Sequence, residues 1–476
     1  MQTRKDLYQA HRLMTQRLGL ALLQGEPDLP ESPMRRHNVA SFAGVLVAVL
    51  IAAGFGIWGL LSPGGATKLK DPGQLLVEEE TGASYIYDTR DNKLRPVANY
   101  VSARLMLEAD EIKVRSVSAK SLTGFARGQK IGIAGAPESL PKPDRLVKSP
   151  WNVCVVEGTD PAGVRKPYVT LTGGIEVGGT PVGNGALVVS DGQQNWILWN
   201  NARMLVRNVG RLLDQAPRKV PAAWINAIPA GADFAAPQIP QRGARVAGPG
   251  GRAARAGQVF TVPPVAGTPQ RWYVLMTDGL APISQTQAQL LLQDPASTSV
   301  YGKQRVRELT IDAATANATK VSARHPLTTA LPQTMPHFRT PGAKEPLCAL
   351  YANTVKGSVR AVLTTGSTFA FPTPATSGGG DKVDQVLLPA GQAALAGHLP
   401  TEGQISAMQE YSLVTDQGRR FRLASADVVG KLGYEAKDVT PVPINLLRLI
   451  PEGPVLDPAA ARTPIQETPS IRPNTQ

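Results

Sequence analysis

The chain has 476 residues, enough for two to four structural units at about 100 to 200 residues per domain. Hydrophobic residues make up 42% and charged residues 18%, which excludes a disordered solvating chain and a polytopic membrane protein. Two cysteines and five scattered histidines (His11, His37, His325, His337, His398) exclude a disulfide-dense scaffold and a multi-cysteine metal site, so no metal and no cofactor is expected. Glycine (46) and proline (41) are abundant and aromatic residues are 5%, which predicts many short elements joined by turns.

Residues 3–24 place Leu7, Ala10, Met14, Leu18, Ala21 and Leu22 at three- and four-residue steps, one apolar stripe on a helix of about six turns. Thr3 with Asp6 resembles a capping box, and Gly25 followed by Pro27 closes the helix. Residues 1–38 offer no core for that stripe. It is therefore expected to lie on a membrane or dock on a partner helix through Leu7, Met14, Leu18 and Leu22. The bland alternative is a basic segment that only orients an anchor.

The anchor is residues 39–61, VASFAGVLVAVLIAAGFGIWGLL, 23 residues without a charge. At about 1.5 Å per residue this run crosses a hydrocarbon core of about 30 Å. It is too long, and begins too far from the N-terminus, for a cleaved signal peptide. Arg4, Lys5, Arg12, Arg17, Arg35 and Arg36 precede it, whereas only Lys68 and Lys70 follow before Glu78, Glu79 and Glu80. The positive-inside rule then puts residues 1–38 in the cytoplasm and the bulk of the chain outside a plasma (inner) membrane. The formal net charge is +13, with 44 basic and 33 acidic residues beyond residue 61. No stripe of interleaved arginine and aromatic residues accompanies that excess, so no nucleic-acid partner is expected.

Beyond the anchor, four segments share a strand, an aspartate turn, a second strand and a short helix. They carry Tyr85-Ile86-Tyr87-Asp88, Leu187-Val188-Val189-Ser190-Asp191-Gly192, Tyr273-Val274-Leu275-Met276-Thr277-Asp278-Gly279 and Tyr411-Ser412-Leu413-Val414-Thr415-Asp416. Each aspartate suits a turn, and the flanking apolar residues alternate as hairpins require. A second echo follows: Val220-Pro221 precedes Pro229 and Gly231 with the same spacing as Val442-Pro443 precedes Pro451 and Gly453. The uneven intervals argue against a strict solenoid or propeller and for insertions that feed a shared sheet. Four copies of one aspartate motif are more simply structural than catalytic.

Cys154 and Cys348 lie in two strand-like runs of the intervening material, residues 151–156 and 346–351. An even count outside the membrane favours a disulfide, which would close a loop of about 195 residues and contribute roughly 5 kcal/mol; two buried free thiols are the alternative. Residues 240–257 and 376–380 read as loops, and the Pro/Thr/Gln-rich tail from Leu456 as a segment without its own core.

The N-terminal run MQTRKDLYQAHRLMTQRLGLALLQGEPDLPESPMRRHNVASFAGVLVAVLIAAGFGIWGLL closely resembles the start of EccB, the single-span membrane component of the actinobacterial type VII (ESX) secretion system. LVEEETGASYIYDTRDNKLRPVANYVSARLML resembles its first repeat, and the two cysteines and the run P-x-N-L-L-x-L-I-P-E-G-P-x-L-D-P at residues 443–458 also match, whereas residues 238–267 do not match clearly and read as a variable insertion. The resemblance implies an α+β chain: one transmembrane helix, then four small αβ repeat domains around a six-stranded central antiparallel β domain in an elongated quasi-twofold arrangement. The expected boundaries are a cytoplasmic tail (1–38), the transmembrane helix (39–61), repeat 1 (75–145), a first stretch of the central β domain (146–185), repeat 2 (186–240), a variable loop (241–267), repeat 3 (268–335), a second stretch of the central β domain (336–400), repeat 4 (401–456) and a tail (457–476). It further implies EccC, EccD and EccE type subunits as partners, beside the lipid bilayer and self-association.

Members of this family have been described as ATPases. A P-loop needs G-x-x-x-x-G-K-[ST], and the nearest run, Gly124-Phe125-Ala126-Arg127-Gly128-Gln129-Lys130, has the wrong spacing and no hydroxyl after its lysine. Gly173-Gly174 and Gly178-Gly179 open no helix and read as turns, and no G-x-S-x-G elbow occurs. No catalytic residue is therefore assigned. The expected role is a structural subunit of a secretion machine whose outer domain stabilises or gates the complex. The rivals are a nucleotide hydrolase and a cell-wall-binding repeat module.

Overall fold

The computed structural model describes residues 3–24, 33–61, 68–107, 112–160, 162–206, 216–265, 267–324, 326, 329–374 and 380–465. His325, the expected Gly25–Pro27 helix closure, most of the 376–380 loop and the tail beyond 465 lie outside them. The chain divides into two compact units, one of residues 1–71, 78–81 and 116–125, the other of residues 72–77, 82–115 and 126–476.

In the first unit, α1 (Arg4–Gln24) begins where Thr3 and Asp6 meet: the Thr3 amide and hydroxyl both donate to Asp6 Oδ2, and the Asp6 amide donates to the Thr3 carbonyl. The expected cap forms with its roles altered, because the threonine hydroxyl donates to the carboxylate instead of accepting from the backbone. α2 (Pro33–Leu61) starts six residues before the uncharged run, with Pro33 at the first helical position, where its missing N–H costs nothing.

The chain beyond residue 72 is built on small sheets. Four of them share one strand order, third-second-first-fourth. Their strands are Gln74–Glu78, Ser84–Asp88, Lys93–Pro96 and Lys113–Val117; Ala186–Ser190, Asn195–Trp199, Ala202–Val206 and Arg218–Lys219; Val259–Val262, Arg271–Met276, Gly279–Ile283 and Leu309–Thr310; and Ala393–Leu399, Tyr411–Thr415, Arg420–Arg422 and Thr440–Pro443. In the second, third and fourth sheets the last strand returns parallel to the first. Each third strand is then closed by one parallel bridge from later in the chain, Leu94 to Arg127, Arg203 to Ala230, Leu280 to Val321 and Arg420 to Glu452. This bridge leaves fewer unpaired backbone groups at that edge.

The bridge accounts for the Val-Pro echo. Pro221 and Pro443 precede the helices Ala222–Ala227 and Ile444–Leu449. The carbonyls of Pro229 and Pro451 accept from the Arg203 and Arg420 amides, and the Gly231 and Gly453 amides donate back to the same two residues' carbonyls. Glycine is required at the second site: a Cβ on Gly453 would sit 2.3 Å from the Phe421 ring.

A fifth, six-stranded sheet runs in the order Gln385–Leu387, Arg165–Gly173, Trp151–Thr159, Leu347–Tyr351, Val362–Thr365, Thr180–Pro181. It is mostly antiparallel, but Gln385–Leu387 pairs parallel with its neighbour. Its apolar side chains Trp151, Val153 and Leu171 share one core with Trp224 and Ile225 of one Val-Pro helix and Leu446 and Leu447 of the other. A second core joins Ile86 and Leu105 to Leu413 and Phe421, and a third joins Ile197 and Phe234 to Leu290 and Leu331.

Three sequence expectations are corrected. Asp191 follows the strand Ala186–Ser190 and closes the first hairpin of its sheet, whereas Asp88, Asp278 and Asp416 close the second; the equivalent turn is Asn200-Asn201, both with positive φ (48° and 60°), which asparagine tolerates. Successive hairpins of one meander alternate alike, so pattern alone slipped by one strand. Val259–Val262, expected in the 241–267 loop, opens the third sheet. Ala393–Leu399, expected in the central β domain at 336–400, pairs with Tyr411–Thr415 and opens the fourth. Its alanine-rich run carries little intrinsic strand preference and is fixed by burial of all seven residues. In addition, the expected 457–476 tail contains a helix, Pro458–Ala461, whose Ala461 is buried in the second core.

Candidate functional site

The residues expected to dock partners all sit on α1 and all face outward: Leu7, Met14, Leu18 and Leu22 are 65%, 71%, 62% and 80% exposed. On α2 the apolar window Arg36–Trp58, 23 residues long, has no buried side chain. Leucines in and against the sheets are fully buried, such as Leu76 and Leu171 on strands and Leu446 on the helix Ile444–Leu449. An exposed apolar side chain forgoes about 1.5–3 kcal/mol of burial, so these two helices carry a large unrealised contact surface. Among the described residues no other helix is long and apolar enough to cross a membrane.

Cys154 and Cys348 are register partners on adjacent antiparallel strands, joined by a disulfide. Both are fully buried beside Val177, Phe369 and Phe371, so the bond ties the two halves of the central sheet in a dry environment.

The aspartates of the four turns are committed to structure. Burial would raise the Asp88 carboxyl, but Arg90 and Arg95 hold it below its ordinary value. Burial likewise opposes Asp191, which the Gln194 and Gln193 amides and the Trp196 indole bring below its ordinary value. The Ser322 hydroxyl and then the Ala323 amide lower Asp278, and Asp416 accepts from the Gly391 amide. None faces a second carboxylate across a cleft as acid–base chemistry needs.

One constellation has no signature in the sequence. His398 Nε2 lies 2.8 Å from Ser412 Oγ, and Nδ1 lies 3.2 Å from Glu410 Oε2 without hydrogen-bond alignment. The order Ser–His–Glu resembles a hydrolase triad, but Ser412 is fully buried mid-strand, where no acyl group can reach it. Burial and the nearby Arg420 cation push the imidazole below its ordinary value, against the smaller pull of Glu410. The group acts as a neutral polar clamp inside the fourth sheet.

The glycine run at residues 124–130 is also spent on the fold. The Gly128 amide donates to the Leu94 carbonyl as half of the edge bridge, and the Lys130 carbonyl accepts from Ile465. The Phe125 amide is likewise engaged, by the Leu122 carbonyl, and an anion cradle needs several convergent free amides. Gly173 ends a strand, and Gly174, Gly178 and Gly179 have positive φ in the connection that follows it. Among the described residues no three His, Cys, Asp or Glu side chains converge as metal ligands. One open groove of about 810 Å³ is lined by Gly248, Gly250, Thr277, Asp278, Thr315 and Lys320.

Comparison with known proteins gives these features a context. A relative described as "ESX-1 secretion system ATPase EccB1" from Mycolicibacterium smegmatis (strain MKD8) is 27% identical, over 94% of this chain and 92% of its own length. "ESX-5 secretion system ATPase EccB5" from Mycobacterium tuberculosis (strain ATCC 25618 / H37Rv) is 26% identical, over 95% and 91%. The fold is shared with a chain of a solved structure described as "Structure of an intact ESX-5 inner membrane complex, Composite C3 model" (TM-score 0.61, 23% identity, 100% of this chain and 98% of that one). It is shared also with "Structure of EccB3 dimer from the ESX-3 core complex" (TM-score 0.59, 24% identity, 82% and 99%). The family described as "Type VII secretion system ESX-1, transport TM domain B" matches residues 1–470, and the chain therefore belongs to the EccB family.

Proposed function

We propose that this chain is a single-span structural subunit of an ESX-type inner-membrane secretion complex. In this reading α1 lies in the cytoplasm, α2 crosses the bilayer and the sheets stand on the periplasmic side. The observation that carries it is the wholly exposed 23-residue apolar window at the head of a chain matched to the family almost from end to end. The more basic side of that window precedes it, which supports the cytoplasmic placement of α1. The stripe Leu7, Met14, Leu18 and Leu22 docks on helices of EccC, EccD or EccE type subunits, and the outer sheets stabilise or gate the assembly.

The four sheets are read as four copies of one repeat domain. Their common strand order and the recurring edge bridge support this. The core shared by the first and fourth sheets, the core shared by the second and third, and the meeting of the two Val-Pro helices support a quasi-twofold arrangement about the central sheet. A relative's structure is described as a dimer, and self-association is included in the proposal.

The relatives carry an ATPase name, yet this reading assigns no hydrolysis to the chain. The Gly128 amide serves an edge bridge and the seryl–histidyl pair is sealed in a sheet. The test is purification of the native membrane complex through a tag on this chain. Companion membrane subunits of the secretion family in fixed ratio are expected; recovery of the chain alone overturns the proposal.

A further inference from the structure

The ribbon that interrupts the path into the third sheet has a charge pattern the fold does not explain. From residue 234 to residue 277 there are five arginines (Arg242, Arg245, Arg252, Arg255, Arg271) and no carboxylate. Arg245–Ala247 and Ala253–Arg255 pair antiparallel, with Arg245 directly opposite Arg255 and Ala247 opposite Ala253. Like charges at directly opposed positions destabilise a sheet. Arg242 is neutralised by Asp294, but Arg245, Arg252 and Arg255 have no carboxylate partner among the described residues; Arg255 donates to the Gly243 carbonyl. The alternate residues Val246 and Ala254 pack on Phe260, Leu275 and Leu280, so the ribbon is seated on its apolar face with the arginine pair and the two alanines on the other.

The outward face is cationic. Ala247 leads from it into the groove of about 810 Å³ lined by Gly248, Gly250, Thr315, Thr319 and Lys320. The carboxylate lining that groove, Asp278, is already bound to the Ser322 hydroxyl and the Ala323 amide.

We infer that this ribbon is a docking surface for an extended acidic segment of a partner protein. Guanidinium forks at 245, 252 and 255 take carboxylates, and the small residues let the partner's backbone lie close. The outward face offers no aromatic or long aliphatic side chain to insert into a bilayer, which favours a peptide over a lipid surface.

The test uses the full chain in detergent and a fluorescent Glu/Ala decapeptide at 150 mM salt. The triple variant Arg245→Gln, Arg252→Gln, Arg255→Gln is compared with a control of equal charge loss at exposed sites elsewhere, Lys356→Gln, Arg419→Gln, Lys431→Gln. The ribbon variant is expected to weaken peptide binding tenfold or more, and the control less than twofold. Arg245→Glu, which gives Arg255 an ion-pair partner, is expected to abolish peptide binding while raising the melting temperature. That variant keeps the inference testable if the triple variant folds poorly. Equal losses in ribbon and control variants, or binding of phosphatidylglycerol vesicles without the peptide, overturn it.

Discussion

The N-terminal helices and the sheets spend the same kind of side chain in opposite ways. Leu18 and Leu22 on α1 are 62% and 80% exposed, whereas Leu446 and Leu447 on a helix of six residues are fully buried. A short helix is marginal by itself and here survives because packing fixes it; a 21-residue helix can persist on backbone bonds alone and leave its stripe open. The sheet region thus buries its own apolar side chains, while the helical region leaves its own exposed, the surface that the proposed function assigns to lipid and partner helices.

The sharpest break of that contrast is a core truncation. Trp224 is fully buried and its indole donates to the Val153 carbonyl at 3.0 Å, so Trp224→Ala should destabilise the sheets by about 3–5 kcal/mol in denaturant unfolding. Leu18→Ala should leave the same transition within about 0.5 kcal/mol. Comparable losses for both would erase the distinction.

Next in size is the crosslink. Cys348→Ser should remove about 2–5 kcal/mol, and reductant should then have no further effect on the variant's melting. Labelling of both thiols in untreated protein would contradict the bond.

A smaller contrast separates two glycines. Gly453→Ala pushes a methyl into the Phe421 ring and should cost about 1–3 kcal/mol; Gly124→Ala meets nothing within 4 Å and should be neutral or slightly stabilising. Equal effects would show that the edge bridge is not tightly held.

The smallest effect concerns pH. His398 binds its proton less readily in the folded chain than in the unfolded one, whose value is near 6.5. Between the two values the unfolded chain holds more protons, so the full contribution is present above about pH 6.5 and is lost as pH falls below it. Melting temperatures of the wild type should drop on acidification from pH 7, and His398→Gln should flatten that slope. An unchanged slope would remove His398 from the account.

What was legible in the sequence was local. The uncharged run at residues 39–61, the Thr3/Asp6 start of α1 and the alternation around Cys154 and Cys348 were each contained in one stretch, and each became a helix or a strand where expected. The Val-Pro echo was legible because the two edge bridges repeat the same offsets, with a glycine at 453 that the Phe421 ring requires. Register among similar hairpins was not: Asp191 and Asn200 both close turns of one meander, and only pairing tells them apart. Ala393–Leu399 lacks β-branched residues and is a strand through burial alone. The His398, Glu410 and Ser412 cluster depends on a pairing across an intervening loop, and the opposed arginines of the ribbon on a register no spacing rule reveals.

The central claim is that α1 joins the chain to its membrane partners while the sheets fold independently of it. The direct measurement compares tagged full-length chain with a variant lacking residues 3–24, both extracted from native membranes. Co-purified subunits are quantified and the melting temperature of the sheet region is recorded in parallel. At least a tenfold loss of companions is expected, with the melting temperature unchanged. A co-purification yield unaffected by the deletion would contradict it.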